Sequence, residues 1–460
     1  MKKWIGLTLT LVMAAALLAA CGGNSNKEGK ATPAVSEQAS VSPSAVESNA
    51  QPVDIELTIW ADVKNENELE KSIRSDFEAL NPHIKLNVID KSGDTNTEYA
   101  LAYAAGLAPD VIDISGPIFK KYVQKGYFAP LDDFIASWSE KDQHTDVFRE
   151  ITIKDGQTFG LVSYLGPMMF GYNKALFKEA NLQPPTTWDE MIAAAVKLTN
   201  RSKNQYGYSM LANDWSDWFF QFYVWQAGGD LTSVKDDGTL ELNFTSPSVV
   251  KALELYRDLK WKDQVVQSDI TLDFNGMVQD FATGKSAMMI FAPDWVPWVA
   301  SLGMKLEDLG IVPMPVGPSG KAVTSTGVYL NAITGNISME KQQAAWEWIQ
   351  YKLSRGVIEK KLLDQQKKGI VPPQIMIYKD MKQKDIVTLD PAWEQALNAG
   401  VAAGRDEYEG KAILTKYIVT AVQKVLVDKD ADILAELQKQ QDLAQKEAVD
   451  KYNAEVLATK

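Results

Sequence analysis

Residues 56–115 read ELTIWADVKNENELEKSIRSDFEALNPHIKLNVIDKSGDTNTEYALAYAAGLAPDVIDIS, and their pattern predicts the fold class of the chain. Three apolar runs with strand-like spacing alternate with two segments of helical spacing. In chain order these are 56–60, 66–80, 84–88, 97–107 and 111–114. A strand–helix–strand–helix–strand order predicts a parallel sheet with helices on its faces, and therefore an α/β fold.

The loops that follow two of these predicted strands are expected to meet at one edge of the sheet. In open α/β sheets, ligands bind in the crevice beyond the carboxyl ends of the strands. This rule places residues 60–62 and residues 113–116 on the same rim. A binding site is therefore expected first at this rim.

The length of the folded part predicts two domains. About 400 residues follow Asp54, which exceeds the roughly 250–300 residues that one hydrophobic core usually supports. A second region begins near Phe159 and contains a capping-box pattern, TWDE, at residues 187–190. Strands are predicted at 286–291 and near 327–333, and the chain is largely helical from Met339 onward.

The N-terminal residues have the order of a secretory signal peptide. Two lysines precede an apolar run at 5–20, which ends in LAAC at residues 18–21. The run is short for a helix that crosses a hydrocarbon core of about 30 Å. LAAC resembles the bacterial lipobox, in which the cysteine is lipidated; the alternative is that Cys21 is a buried free thiol. We predict a signal peptide at 1–20, a lipid (palmitate) on Cys21, and a flexible linker through residue 53.

Composition limits the possible partners and cofactors. The formal net charge is −13 and no run of Lys or Arg occurs, so nucleic acid is not an expected partner. Cys21 is the only cysteine, which excludes an internal disulfide and a thiolate metal cluster. No phosphate-binding loop and no EF-hand pattern is present, and only two histidines occur. We expect no cofactor.

Four segments resemble family 1 extracellular solute-binding proteins, the sugar-binding proteins of ABC importers of the maltose-binding type. They are AAGLAPDV at 104–111, YNKALFKEANLQPPTTWDEMIAAAVKLT at 172–199, FATGKSAMMI at 281–290 and PMPVGPSG at 313–320. The resemblance covers most of residues 56–452. It implies the two-lobe periplasmic-binding-protein fold (type II), in which each lobe is a mostly parallel sheet flanked by helices and the ligand cleft lies between the lobes.

The same resemblance implies lobe boundaries and a function. Lobe one would comprise 54–164 and 295–335, and lobe two 165–294 and 336–460. The protein would be a monomeric receptor, held by its N-terminal lipid on the extracytoplasmic face of the cell membrane. It would bind a sugar or oligosaccharide by lobe closure and deliver it to the transmembrane subunits of an ABC permease.

Two other functions remain possible at this point. The same fold could bind ferric iron, a peptide or another small solute. A secreted carbohydrate-active enzyme is disfavoured because Asp132 and Asp133, adjacent in PLDDF, point in different directions and are expected to cap a helix rather than act as a glycosidase pair. For enzymes more generally, no Gly-x-Ser-x-Gly elbow occurs, and His83 and His144 lie in polar stretches and are expected to be exposed.

Candidate ligand contacts in the second region combine aromatic and acidic residues. Sugars present apolar faces and a rim of hydroxyl groups, which suit aromatic rings and carboxylates respectively. Trp218, with Asp217 beside it, matches a sugar-contacting aromatic of the family, although Trp215 and Trp218 could instead form the core face of a helix. Trp295 matches the family's tryptophan after FATGKSAMMI. Asp294 could bind hydroxyls or cap the following helix.

The remaining candidates come from the first lobe and from the segments predicted to cross between lobes. The resemblance assigns polar rim positions to two charged residues after the first strand, for which the alternative is a solvated loop charge. It also assigns ligand contacts to a hydroxyl after the third strand, to a residue in the first crossover, and to residues on another strand of lobe one. These residues are Asp62, Lys64, Ser115, Tyr164, Gly327 and Tyr329.

Overall fold

The computed structural model describes residues 54–64, 66–91, 95–145, 152–213 and 215–458. The predicted signal peptide, Cys21 and the predicted linker through residue 53 lie outside the described residues. Among the residues described, no helix is both long enough and apolar enough to cross a membrane.

Strands and helices alternate along the first half of the chain, and helices dominate its end. Strands β1 to β13 are Ile55–Ala61, Ile84–Asp90, Val111–Ser115, Ile153–Lys154, Gln157–Thr158, Leu161–Pro167, Met169–Asn173, Thr232–Val234, Leu240–Leu242, Met288–Phe291, Leu309–Val312, Thr324–Ile333 and Gly404–Arg405. Helices α1 to α17 are Glu68–Leu80, Thr95–Ala104, Gly116–Gln124, Asp132–Ser137, Lys174–Glu179, Trp188–Leu198, Ser216–Gln226, Pro247–Arg257, Phe274–Ala282, Val296–Ser301, Met339–Lys352, Arg355–Lys367, Gln383–Ile386, Pro391–Ala403, Lys411–Val427, Ile433–Ala444 and Asp450–Ala458.

The larger sheet contains the strands predicted from residues 56–115. Its order is β2–β1–β3–β12–β6, and β13 pairs with the start of β12. Strand β1 is parallel to β2 and β3, as predicted, whereas β12 is antiparallel to both β3 and β6. The register of β12 against β6 shifts after Tyr329, which leaves Ser163 as an extra residue between two paired positions. This β-bulge lies on β6, the last strand in that order.

The second sheet has the order β10–β7–β11, and both outer strands are antiparallel to β7. This differs from the mostly parallel sheet that was expected in the second lobe. Strand β7 follows β6 almost directly and forms the centre of the sheet, so β10 and β11 both return against its direction. Half of the predicted capping box is observed: the Thr187 hydroxyl accepts a hydrogen bond from the backbone of Glu190, but the Glu190 carboxylate accepts from the backbone of Thr186 instead of Thr187.

Two large hydrophobic cores are present within the described part of the chain. The first packs β1, β3 and β12 against α1 and α11, and includes Phe77, Ile114 and Trp348. The second surrounds β7 and α7 and includes Phe170 and Phe222. Each core gathers its own set of strands and helices.

The chain passes between the two cores three times. It leaves the first core after Leu165 and re-enters it at Val328, and it leaves again after Tyr378. Buried residues of 296–314 therefore pack in the second core and those of 344–357 in the first, which differs from the boundaries that the resemblance implies. A helix packs in whichever core covers its apolar face. The order of segments along the chain does not show which core that is.

His144 is buried, contrary to the expectation of an exposed side chain. Its ring centroid lies 4.3 Å from that of Trp138 and 4.5 Å from that of Tyr378. Tyr378 is more than 200 residues away in sequence, so the local polar composition around His144 could not predict that the imidazole is buried. His83 is partly exposed.

Candidate ligand-binding cleft

Two tyrosines face each other on the strands that cross between the cores. Tyr164 of β6 and Tyr329 of β12 are paired in register, and their ring centroids are 6.2 Å apart. Tyr329 is 45% exposed. Burial nevertheless raises its pKa, and the carboxylates of Asp294 and Asp113 add to the shift. Tyr329 therefore places a solvent-accessible aromatic ring at the junction of the cores.

Asp294 extends this surface into the second core. It lies in the turn Pro293–Trp295, and its Oδ1 accepts a hydrogen bond from the hydroxyl of Tyr164 at 3.3 Å. Helix α10 begins without a side-chain capping bond, so the capping alternative for Asp294 is not observed. Asp294 is accessible to solvent as a residue, but the protein packed around its carboxylate raises the pKa of that group by burial. It therefore lies on the same solvent-accessible surface as Tyr164 and Tyr329.

Asp113 lines this surface from the first core and was not predicted to bind ligand. Part of Asp113 is accessible to solvent. The protein packed around its carboxylate raises the pKa of that group by burial, and the positive charge of Lys352 opposes this shift. Its Oδ2 accepts a hydrogen bond from the Ser163 hydroxyl at 3.0 Å. The available signal was an acidic residue within the apolar strand VIDI, at the end of a strand where α/β sheets bind ligands.

An aromatic cluster lies beside Asp294. Phe274 contacts Trp295 and Trp215, with ring centroids 5.0 Å and 6.3 Å away. Trp215 is 55% exposed, whereas Trp218 is only 9% exposed and meets Trp215 edge-to-face. Trp215 therefore offers the open indole face, although Trp218 was the residue predicted from the sequence. The Lys411 ammonium lies 5.5 Å from the centroid of Trp215.

The backbone at Trp215 is unusual for a tryptophan. Its φ of 70° lies in the left-handed region, which side chains larger than hydrogen rarely adopt. Such conformations persist where the surrounding structure enforces them, and they concentrate at functional sites. The strain and the exposure together make Trp215 the aromatic residue that sequence reasoning undervalued.

Asp217 is buried beneath the start of α7 and is 1% exposed. Its Oδ2 accepts hydrogen bonds from the Tyr408 hydroxyl at 2.6 Å and from the Thr415 hydroxyl at 2.8 Å. Burial, and then the Asp217 carboxylate, raise the pKa of Tyr408. Asp217 lies in the first turn of α7, and its carboxylate points toward α15. The two hydrogen bonds therefore hold the start of α7, which carries Trp218, in place.

The other predicted residues lie on the first-lobe rim and on the crossing strands. Asp62 follows β1, and the Lys64 ammonium lies 3.4 Å from the carboxylate of Asp90. Ser115 ends β3 and is paired in register with Tyr329. Gly327 lies on β12 opposite Gly166. The structure thus brings Ser115, Tyr164, Tyr329, Asp294 and Trp295 toward one region. These residues lie on both sides of the junction between the cores.

Comparisons with known proteins bear on this arrangement. The family model described as bacterial extracellular solute-binding protein matches residues 60–359. A binding protein of Brucella abortus (strain 2308) is 27% identical over 67% of this chain and 74% of its own length. The maltotriose-binding protein of Pyrococcus abyssi is 22% identical over 66% of this chain and 64% of its own.

A solved structure has a similar fold. It is an ABC transporter solute-binding protein from Thermotoga lettingae TMO, bound with α-D-tagatose. Its TM-score against this chain is 0.70 at 24% sequence identity, and the match covers 85% of this chain and 99% of that protein. At this level of identity, the likeness establishes the fold.

Proposed function

The chain belongs to the bacterial extracellular solute-binding proteins and has their two-lobe α/β fold, and from this premise we propose that it is the receptor of an ABC importer for a sugar or oligosaccharide. The observation that carries the proposal is the junction of the two cores. Two tyrosines and two carboxylates lie close together there, and an exposed indole ring belongs to the aromatic cluster beside Asp294. Relatives that bind maltotriose and tagatose support the choice of a sugar.

The chemistry of these side chains suits a sugar. The faces of Trp215, Trp295 and Tyr329 can cover the apolar faces of sugar rings, while Asp294 and Asp113 accept hydrogen bonds from hydroxyl groups. A micromolar ligand needs about −8 kcal/mol. Two or three buried aromatic contacts at about 1.5–3 kcal/mol each supply much of this before the costs of association.

Binding would couple to a hinge motion of the lobes. The three chain crossings between the cores are the segments about which one lobe can rotate against the other. A ligand that contacts both walls favours the closed state because the closed state has more contacts with it. In this proposal Asp62, Lys64, Ser115 and Gly327 contribute to the first-lobe wall.

The proposal includes a membrane anchor and a transport partner. Lipidation of Cys21 would hold the receptor on the extracytoplasmic face of the cell membrane, near the permease that takes over the sugar. The LAAC ending of an apolar segment supports this part. No phosphate-binding loop occurs in the sequence, so a separate subunit would hydrolyse ATP.

A thermal-shift screen of the purified protein tests the proposal. The panel contains monosaccharides, α-D-tagatose, D-mannitol, maltose and maltotriose. A ligand at one hundred times its Kd adds about 2.7 kcal/mol of stability, which raises the Tm measurably. We expect a selective rise that disappears in Trp295→Ala. If no sugar raises the Tm, the ligand is of another class, such as ferric iron or a peptide.

A further inference from the structure

Residues 404–410 connect α14 to α15, and this connection is anchored to the second core. Tyr408 is buried in that core, and its hydroxyl donates to the Asp217 carboxylate at 2.6 Å. Gly410, with φ of 78°, supplies the left-handed residue that precedes α15. The connection therefore places Lys411, the first residue of α15, beside the start of α7.

The Lys411 ammonium lies close to two indole rings at once. It is 5.5 Å from the centroid of the Trp215 ring and 5.8 Å from that of the Trp218 ring. The two rings meet edge-to-face, with an interplanar angle of 89° and a centroid separation of 6.2 Å. A cation within about 6 Å of an indole centroid is attracted by the electron-rich face of the ring. One ammonium that is attracted to both rings therefore favours this relative orientation.

Glu407 in turn restrains the Lys411 ammonium. Its carboxylate lies 3.1 Å from the ammonium, and the side chains of Lys411 and Glu407 are only 24% and 20% exposed. The ammonium is thus partly removed from water, where the attraction between a cation and a ring is stronger than at an exposed site. Because Glu407 already balances the charge, Lys411 is suited to holding the rings rather than to attracting an anionic ligand.

Of the two indole rings, Trp215 is the one that needs this support. Trp218 packs against Phe219 and Phe222, with ring centroids 5.1 Å and 5.0 Å away. Trp215 is 55% exposed, and its ring centroid lies 6.2 Å from that of Trp218 and 6.3 Å from that of Phe274. An exposed side chain with loose packing can sample several rotamers, and ordering it on binding costs free energy. A contact that orders the ring before the ligand arrives removes this cost.

We propose that Lys411 is a positioning residue, which holds the exposed indole of Trp215 in the orientation that stacks on a sugar ring. Glu407 holds Lys411 in place, and neither side chain touches the ligand. This inference rests on the proposed function, because the pre-ordered ring is assigned to the sugar cleft. It adds two residues, from the start of α15 and the connection before it, that set affinity through Trp215.

The first test observes the ring without any ligand. The protein is labelled with 5-fluorotryptophan, and the fluorine resonance of residue 215 is assigned by its loss in Trp215→Phe. In Lys411→Met we expect this resonance to move toward its position in the unfolded chain, because methionine is of similar length but carries no charge. Glu407→Gln keeps the ammonium but releases it, and should move the resonance in the same direction. An unchanged resonance in both variants would overturn the positioning role.

The second test is binding, measured by titration calorimetry with maltotriose, α-D-tagatose and D-mannitol. Lys411→Met should raise the Kd of a bound sugar about fivefold, and Lys411→Arg should restore it to within about twofold, because arginine also binds indole faces. The matched control is Lys416→Met on the same helix. The Lys416 ammonium lies 3.1 Å from the Glu447 carboxylate and 4.5 Å from the centroid of the Tyr417 ring. The Kd of this variant should equal that of the wild type.

The outcomes separate this inference from the proposed function. If a sugar binds the wild type and Lys411→Met equally well, the positioning role is wrong and the sugar receptor stands. If no sugar binds the wild type, both are overturned. In a Trp215→Ala background, Lys411→Met should have no further effect on the Kd. Additive losses there would mean that Lys411 acts on the ligand directly, and an equal loss in Lys416→Met would assign the effect to general electrostatics; either result overturns the positioning role.

Discussion

The hydroxyl of Tyr164 donates to Oδ1 of Asp294 at 3.3 Å, and this bond joins a strand that crosses between the cores to a turn of the second core. The ring of Tyr164 can lie there because Gly166 has no side chain. Residues 164 and 166 share one face of the strand, and a Cβ at position 166 would overlap the Tyr164 ring and hydroxyl. Gly166 therefore positions a cleft residue without contacting ligand itself.

Gly166→Ala should weaken ligand binding by displacing the Tyr164 ring. The obstacle is the movable end of a side chain, so the fold should tolerate the substitution and the Tm should change little. We expect about a tenfold higher Kd for the bound sugar, measured by calorimetry. In a Tyr164→Ala background the same substitution should have no further effect, because the ring that it displaces is gone. Additive losses would contradict this explanation.

Ligand affinity should decrease as the pH falls. Burial raises the pKa of Asp294 above its ordinary value of 3.8, so the unliganded protein binds this proton more tightly than the unfolded chain does. Between the raised pKa and 3.8, a falling pH therefore stabilises the unliganded protein. In the same window it removes the carboxylate that accepts hydroxyl hydrogen bonds.

The measurement for this pH prediction is Kd as a function of pH, together with the Tm of the unliganded protein. Asp294→Asn should flatten both profiles across the window. Asp113 has a raised pKa for the same reason, burial, so Asp113→Asn is measured in parallel and should remove the remaining dependence. An unchanged profile in Asp294→Asn would mean that another group is responsible.

The fold was largely predictable from local pattern. The alternating strands of residues 56–115 and the helix N-cap at Thr187 depend on neighbours in sequence, and both are observed. The antiparallel second sheet and the packing of helix α11 in the first core were not predictable. They depend on which distant surface covers an apolar face, and one sequence without relatives does not contain that information.

The site was only partly predictable, for a related reason. Trp295, Tyr164 and Tyr329 follow strands whose positions could be inferred. Ser163, by contrast, acquires its role through a shift in strand register. Asp217 becomes a buried acceptor because helix α15 packs against α7 and brings Thr415 to its carboxylate. Interactions between segments created these positions, and no local motif marks them.

Asp217→Asn should lower stability more than it lowers affinity. The buried carboxylate accepts two hydrogen bonds, from Tyr408 and Thr415, and bonds to charged groups contribute about 1.5–3 kcal/mol each. We expect a Tm several degrees lower, with a Kd within about threefold of wild type when measured well below the Tm. A large loss of affinity with an unchanged Tm would instead support direct contact between Asp217 and the ligand.

Trp215→Gly should separate binding from folding. Glycine adopts φ of 70° without strain, and relief of the left-handed conformation at a non-glycine residue amounts to about 1–2 kcal/mol. This gain offsets the lost contact with Phe274, so the Tm should stay close to that of the wild type. Affinity should fall about ten- to a hundredfold, because an exposed indole face worth about 1.5–3 kcal/mol is removed.

A matched control for Trp215 comes from another exposed residue with a left-handed backbone, Gln264, at φ of 56°. Gln264→Gly should raise the Tm slightly and leave the Kd unchanged, since the side chain lies outside the cluster around Phe274. If Trp215→Gly lowered the Tm by several degrees and left the Kd unchanged, the indole would be a packing element. A large loss of affinity with an unchanged Tm would instead assign the exposed ring of Trp215 to ligand contact.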